Sequence, residues 1–322
     1  MNTLQAELHA IEKLANGIHC FDLRPADDSA WPAPTAGSHL DLHLPNGLVR
    51  SYSLINAPGE RHRYLVAVNR EQSGRGGSSY LHDQLRVGQT LTVSGPRNHF
   101  PLREDARHSV LIGGGIGITP LWSMVQRLSQ IGAPWTLHYA ARNRETAAFV
   151  DRIESLAAVT GRKVHLNFDG GASDRRLDLR AIVENSPADA DFYCCGPLPM
   201  LEAFESATAQ RDPIRVHREY FAAPAAATAA AGTDHAFTVH LAKTGKTIPV
   251  LAGTSILDAV LQAGVDVSYS CMGGICGACV TGVLSGVPDH RDLVLSESER
   301  EACDRMVICC SRSKTPELML DL

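Results

Sequence analysis

Three cysteines in a glycine-rich run constrain this chain more than any other feature. The run is Ser270-Cys271-Met272-Gly273-Gly274-Ile275-Cys276-Gly277-Ala278-Cys279, which spaces the thiols C-x4-C-x2-C. A fourth candidate, Cys309, follows well downstream. Plant-type 2Fe–2S clusters use this spacing, with four thiolates offsetting the charge of two irons. Gly273, Gly274 and Gly277 suit a loop that wraps such a cluster, because glycine takes positive φ and lets backbone N–H groups approach the sulfides. Structural zinc is the alternative for the same thiols. Zinc, however, favours paired C-x2-4-C knuckles or histidine ligands over a triad and a distant fourth. A cluster moves one electron at a time, so the rest of the chain should supply a source of electrons and a route out.

With 322 residues the chain has room for two or three domains, and 44% hydrophobic with 20% charged residues is an ordinary globular composition. The net charge of −5 argues against a nucleic-acid partner and suits docking to a basic protein surface. The first residues, Met1 to Glu7, carry no basic segment followed by an apolar core, and no apolar run reaches membrane-spanning length. A cytoplasmic protein without a membrane partner is therefore expected. In a reducing compartment the nine cysteines serve metals rather than disulfides. Nothing in the sequence demands an oligomer, so a monomer is expected.

Residues 1–103 read as short strands punctuated by Gly, Pro and Asn turns, the pattern of a small antiparallel β-barrel. Strands are expected near 37–44, 48–54, 63–68 and 89–93. Two pieces carry chemistry. In Arg50-Ser51-Tyr52-Ser53-Leu54, Arg50 can neutralise a phosphate, Tyr52 on the same strand face can cover a ring, and Ser53 can hydrogen-bond it. Ser73-Gly74-Arg75-Gly76-Gly77-Ser78 is a glycine-rich loop before a short helix, Ser79 to Leu85, and can offer N–H groups to a phosphate. Taken singly, each piece also fits an ordinary strand or turn.

From residue 104 to 221 strands alternate with helices, as in a doubly wound parallel sheet. The apolar strand Ser109 to Ile112 runs into Gly113-Gly114-Gly115-Ile116-Gly117-Ile118-Thr119-Pro120, after which Leu121, Met124, Val125 and Leu128 recur at helical spacing. A glycine turn between strand and helix is a dinucleotide phosphate site. Further strands are expected at 136–141, 164–168 and 191–195, and helices at 149–158 and 198–208. The last strand, Asp191 to Cys195, ends in Gly196-Pro197, and His217-Arg218-Glu219-Tyr220-Phe221 closes the segment. In the turn Ala141-Arg142-Asn143-Arg144-Glu145 no acidic residue stands first to bind a ribose hydroxyl, and Arg142 or Arg144 could accept a 2′-phosphate.

Residues 222–234 are a low-complexity Ala/Pro/Thr/Gly stretch that reads as a tether. From 235 to 322 the pattern is a hairpin over Phe237 to Val250, a helix over Ser255 to Gly264 capped by Thr254 or Ser255, and then the cysteine loop. Ile308-Cys309-Cys310-Ser311-Arg312 offers two candidates for the fourth ligand. Cys20 and Cys303 read as bystanders, and the histidines show no metal-ligand spacing.

Together these motifs resemble the phthalate dioxygenase reductase family along essentially the whole chain, in the order flavin, nicotinamide, ferredoxin. The resemblance implies an antiparallel β-barrel for flavin, an α/β doubly wound parallel sheet for the nicotinamide and an α+β plant-type ferredoxin domain. By the family's pattern the flavin is FMN. Arg50, Tyr52 and Ser53 would hold its ring and phosphate edge, and Arg75, Gly77 and Ser78 its terminal phosphate. Gly113, Gly114, Gly115, Gly117, Pro120, Gly196 and Pro197 would form the dinucleotide site. Thr119, in a Gly-x-Thr-Pro match, and Cys195, in a Cys-Gly-Pro match, would line the nicotinamide pocket. Phe221, or Tyr220 in second place, would cover the flavin, although a closing strand with ordinary aromatic packing is the plainer account. Aligning Ser311-Arg312 with the family's Cys-x-Ser-Arg selects Cys309 as the fourth ligand beside Cys271, Cys276 and Cys279. The family favours NADH over NADPH. The implied activity is electron transfer from NADH through FMN and the cluster to the terminal oxygenase of a two-component Rieske-type system. Vanillate demethylase and carnitine oxygenase reductases are similar in kind. A direct quinone-type reductase and a non-enzymatic 2Fe–2S redox sensor are the alternatives. The first is separated by its acceptor, and the second predicts no sustained turnover of NADH.

Overall fold

A computed structural model describes residues 3–27, 29–72, 74, 76–222 and 235–322. Arg75 of the glycine-rich loop and residues 223–234 of the expected tether lie outside the described residues. The chain divides into two compact units, Met1–Phe221 and Ala222–Leu322.

The first unit begins with a hairpin that the sequence does not announce, β1 (Thr3–Ala15) and β2 (Ile18–Pro25). Strands β3 (His39–His43), β4 (Val49–Ser53), β5 (Tyr64–Asn69) and β6 (Thr90–Arg97) complete an antiparallel sheet in the order β4-β3-β6-β1-β2-β5. A bridge between Leu54 and Val66 joins the two edges and closes the barrel. Closure removes the unpaired edges that an open sheet would leave. Leu8, Phe21, Leu40, Leu42 and Val66 fill the interior. Helix α1 (Gly77–Asp83) covers it between β5 and β6.

The same unit continues as β7 (Ser109–Gly114), α2 (Ile118–Gln130), β8 (Trp135–Ala141), α3 (Val150–Thr160), β9 (Lys163–Phe168), α4 (Leu179–Glu184), β10 (Asp191–Cys195), α5 (Leu198–Thr208) and β11 (Val216–Glu219). All five strands are parallel, in the order β11-β10-β7-β8-β9. The chain moves outward from β7 to β9, then returns to the other side of β7 as β10. The order therefore reverses between β7 and β10, and ligands of such sheets bind outside the carboxyl ends of the strands at that point. Successive residues of β10 face opposite cores: Phe192 and Cys194 lie with Val183 and Leu201, while Tyr193 and Cys195 lie with Leu121 and Leu137. The second of these cores also takes in Ile18, Cys20, Ile55 and Phe100 of the barrel segment. Two hydrogen bonds join barrel and α2: Ser123 Oγ accepts from Gly37 N at 3.1 Å, and Gln126 Nε2 donates to Ile55 O at 3.1 Å.

The second unit contains β12 (Phe237–Leu241), β13 (Thr247–Val250), α6 (Ile256–Gln262), β14 (Val280–Ser285), β15 (Pro288–Asp289), α7 (Glu297–Ala302), β16 (Arg305–Val307), β17 (Arg312–Ser313) and β18 (Glu317–Leu320). Its main sheet runs β13-β12-β18-β14-β16. Ser255 caps α6 by accepting from Asp258 N, and Ile256, Leu257 and Val260 pack that helix on Val239, Val250 and Leu318. The cysteine loop leaves α6 and returns as β14.

Candidate functional site

In the second unit the loop from Cys271 to Cys279 curls through positive φ at Met272 (54°), Gly274 (71°) and Gly277 (68°). Gly273, one of the glycines expected to supply this bend, is not among the positive-φ residues; Met272 takes the position despite its side chain. The bend turns amides toward sulfur. Gly273 N and Ile275 N donate to Cys271 Sγ at 3.4 and 3.5 Å, and Cys271 N donates to Cys276 Sγ at 3.4 Å. The Cys271 thiol contacts those of Cys276 and Cys309, and the Cys279 thiol contacts that of Cys309. Hydrogen bonds from Cys271, Cys279 and Cys310 hold Cys309 well below the usual thiol range. Among the described residues no three His, Cys, Asp or Glu side chains are grouped to hold one metal ion. The four thiols meet as a run of contacts, Cys276 with Cys271, Cys271 with Cys309 and Cys309 with Cys279, and four thiolates are the number that two irons of such a cluster require.

Cys310 touches Cys309, and it lies against Gly274, where a Cβ would come within 2.5 Å of its sulfur. Cys20 is buried in the core shared by barrel and α/β segment, which pushes its thiol up to about 12. Cys303 ends α7 with its thiol on Arg300 O.

The segment Asp289-His290-Arg291-Asp292 braces the loop, a role its sequence does not reveal. Leu293 N donates to Gly274 O at 2.9 Å, and the buried Asp292 carboxylate accepts from Val294 N and Leu295 N at 3.0 and 2.8 Å.

At the strand-order reversal of the first unit, two glycine turns interlock. A Cβ at Gly117 would fall 2.2 Å from Cys195 O, one at Gly114 would fall 2.7 Å from Pro197 Cδ, and one at Gly196 would fall 3.2 Å from Gly114 Cα. Gly115 sits at the tip with φ 54° and open space beside it. Gly113 pairs with Cys195 in the sheet register. Thr119 is buried with its hydroxyl on Ile116 O at 3.0 Å, and Pro120 follows in the first turn of α2. The structure thus brings Gly113, Gly114, Gly117, Cys195, Gly196 and Pro197 together. Cys195 is fully buried, and burial holds its thiol protonated, well above the usual range.

Glu219 was invisible to sequence reasoning because it is one acidic residue among 35 Asp and Glu. The register of β10 and β11 places it beside Cys195. One carboxyl oxygen is buried without a hydrogen-bond partner, and burial pushes its pKa up to about 8, from an ordinary 4.5. The folded chain therefore holds a proton here that the unfolded chain releases above about pH 4.5. The stabilisation is complete below that pH and is lost as pH rises toward about 8. Glu219→Gln is expected to flatten the fall in melting temperature over this window, an effect of up to about 5 kcal/mol. Thermal melts of both proteins from pH 5 to 9 check it, and parallel curves would refute it.

Tyr220 packs against the α4–α5 core and hydrogen-bonds Glu205, whereas Phe221 is 42% exposed. Ordinary closing-strand packing thus describes Tyr220 and not Phe221. In the turn after β8, Arg144 is committed to Asp151 and Glu154, each at 2.6 Å, while Arg142 is exposed.

On the barrel, Arg50 and Tyr52 pair with Leu42 and Leu40 across β3. Tyr52 is half-buried against the barrel core, and burial raises its hydroxyl to about 12. Ser53 is buried at the end of β4. The Arg50 side chain lies across Gly77, where a Cβ would meet its Cγ at 2.6 Å and its Nε at 2.7 Å. Gly76 precedes it in the left-handed region, φ 80°. Ser78 Oγ accepts from Glu71 N at 3.1 Å. The glycine-rich turn and the Arg-x-Tyr-Ser strand are therefore in contact, and a bare turn beside a guanidinium fits a phosphate group.

Three family models match in chain order: an oxidoreductase FAD-binding domain over residues 5–101, an oxidoreductase NAD-binding domain over 111–206 and a 2Fe-2S iron-sulfur cluster binding domain over 239–314. A protein named phenoxybenzoate dioxygenase subunit beta, from Ectopseudomonas oleovorans, is 56% identical over 100% of this chain and 98% of its own. A tetrachlorobenzoquinone reductase of Sphingobium chlorophenolicum is 46% identical over 100% and 99%. Among solved structures, an intact type IV self-sufficient cytochrome P450 monooxygenase matches 99% of this chain with TM-score 0.88 at 37% identity, and the chain spans 41% of its length. Phthalate dioxygenase reductase matches 100% of this chain and 98% of its own, with TM-score 0.71 at 35% identity. A closed flavin barrel, a reversed-order nicotinamide sheet and a thiol-bearing ferredoxin unit thus stand in the same order as in that enzyme, and the chain belongs to the phthalate dioxygenase reductase family of NADH-dependent flavin iron–sulfur oxidoreductases.

Proposed function

We propose that this chain is the reductase component of a two-component oxygenase and passes electrons from NADH to a Rieske-type terminal oxygenase. The observation that carries the reading is the convergence of four thiols in a unit of their own, distinct from the residues suited to flavin and nicotinamide. The relative named as a dioxygenase subunit supports the choice of partner. When bound, the flavin accepts an electron pair from NADH and the cluster carries electrons onward singly.

The chain's own residues place these groups. Cys271, Cys276, Cys279 and Cys309 hold the irons. Arg50, Tyr52 and Ser53 hold the flavin, which we assign as FMN, with Arg75, Gly77 and Ser78 at its phosphate. The interlocked turns at Gly113 to Gly117 and Gly196-Pro197 take the dinucleotide, with Pro120 starting the helix behind it. Thr119 and Cys195 line the ring pocket, where a small neutral thiol leaves space, and exposed Phe221 guards the flavin. The Arg144 ion pairs favour NADH, since this guanidinium is already neutralised. We assign domain limits of 1–103, 104–221 and 235–322, with a tether at 222–234, and a monomeric state.

Anaerobic titration with NADH, followed by absorbance and low-temperature EPR, tests the reading. Bleaching of the flavin and then a reduced 2Fe–2S signal is the expected result; bleaching with no cluster signal overturns it. The tetrachlorobenzoquinone reductase relative favours one second reading, direct reduction of a quinone. That reading predicts quinone turnover which survives loss of the cluster.

A further inference from the structure

We propose that Glu205 is a positioning residue: it holds Phe221 in place relative to the Gly196-Pro197 turn and so sets how readily the nicotinamide reaches the flavin. The inference rests on the placement of Phe221 over the flavin proposed above. Phe221 is 42% exposed and stands beyond Glu219, the last residue of β11 paired with β10. The strand ladder therefore ends before it. The chain is fixed here by the side chain next to it. The Tyr220 ring packs against the core of α4 and α5, and its hydroxyl donates to Glu205 Oε1. Arg218 Nε lies 2.7 Å from the same carboxylate oxygen and donates to the Tyr220 hydroxyl at 3.3 Å.

Each of these three groups touches the other two. An ion pair as open to water as Arg218 and Glu205, 41% and 40% exposed, contributes little alone. Closed into a triangle with a hydroxyl whose ring is anchored in a core, it defines one position. Glu205 belongs to α5, the helix that starts directly after Gly196-Pro197. From Leu198 to Glu205 is about 10 Å along the helix axis. The turn and the carboxylate that grips Tyr220 are thus parts of one stiff element, and Phe221 is referred to the turn through it. On the other face of β11 the His217 ring stacks on Tyr193 at 4.5 Å, so the strand itself stays held when Glu205 is changed. Phe221 and the nicotinamide compete for one face of the flavin. NADH binding is weakened by the fraction of time that such a cover is closed. A gripped cover is closed more of the time than a loose one. Loss of the grip therefore tightens NADH binding, the reverse of what damage to the pocket does.

The test uses the full-length, flavin-loaded protein, read by flavin fluorescence and by anaerobic stopped-flow bleaching over a range of NADH concentrations. The variants are Glu205→Ala, Glu205→Gln and Tyr220→Phe, with Phe221→Ala as the reference for a missing cover. Glutamine keeps an oxygen for the Tyr220 hydroxyl, alanine does not, and phenylalanine keeps the packed ring without the hydroxyl. In Glu205→Ala and Tyr220→Phe the flavin emission is expected to rise, because a stacked ring quenches it, and the half-saturating NADH concentration to fall several-fold, both in the direction of Phe221→Ala. Glu205→Gln is expected to keep wild-type values. Wild-type emission and half-saturation in Glu205→Ala and Tyr220→Phe, beside a changed Phe221→Ala, overturn the inference. Weaker NADH binding in those two variants, or an equal shift in Glu205→Gln, overturns it as well. Wild-type values in Phe221→Ala overturn the placement of Phe221 itself, a distinct failure.

Discussion

Cys309→Ala is expected to yield a protein that retains flavin, is bleached by NADH at the wild-type rate and carries no 2Fe–2S EPR signal. Three thiolates cannot satisfy two irons that need four. Cys309 contacts both Cys271 and Cys279, so its loss removes the link between the two halves of the donor set. Cys310 is the thiol left beside the vacated position, so the variant at that residue is the necessary companion. Delivery of electrons to a one-electron protein acceptor should fall to background. Iron and acid-labile sulfide content, measured beside Cys310→Ser, decide between the neighbouring cysteines. If Cys310→Ser loses the cluster and Cys309→Ala keeps it, the ligand is Cys310.

Gly117→Ala should have the second-largest effect, and on the opposite half of the electron path. Gly117 has φ −62°, a value any residue adopts, so no backbone strain is involved. The conflict is steric: the new Cβ would stand 2.2 Å from Cys195 O, 2.5 Å from Cys195 C and 2.7 Å from Gly196 N, all backbone atoms that no rotamer can clear. Overpacking of this kind costs about 1–3 kcal/mol. The two turns must part, and a displacement near 1 Å at a positioning element can slow the reaction about 100-fold. Stopped-flow bleaching by NADH should slow accordingly, while dithionite bleaches the flavin normally and flavin content is unchanged. Gly132→Ala is the control, since it lies past the end of α2 away from both turns, and its Cβ meets open space and bears only the left-handed penalty of about 1–2 kcal/mol. Wild-type NADH kinetics in Gly117→Ala would sink the argument.

The sequence exposed whatever depends on spacing. The C-x4-C-x2-C run, the glycine turn before α2 and the strand ending in Cys194-Cys195 all declare themselves, because ligand and phosphate sites need particular residues at particular intervals. It hid what depends on pairing. Strand β1 is rich in Leu, Ala, Glu and Lys, residues that suit a helix, and its pairing with β2 and β6 overrides that preference. The Asn16-Gly17 turn, with Gly17 at φ 78°, is the signal that could have found this hairpin. Helix α4 has six residues, too few for a periodic pattern. Glu219 matters only because β11 sets it beside Cys195, and Met272 because a side chain occupies a bend that glycine usually makes. The choice of Cys309 over Cys310 needed the family's Cys-x-Ser-Arg ending, because spacing alone leaves two adjacent thiols.

Arg312, three residues past Cys309, donates to Thr254 O at 2.6 Å, His235 O at 2.9 Å and Leu251 O at 3.2 Å, and stacks over Phe237. One guanidinium thereby fastens His235 to the hairpin end, the helix entrance and the strand beside the last ligand. These contacts latch the unit from within, between His235 and Arg312. A fragment that starts at His235 and keeps this latch is therefore expected to fold and to hold its four thiols together, with iron uptake by the isolated fragment as the check.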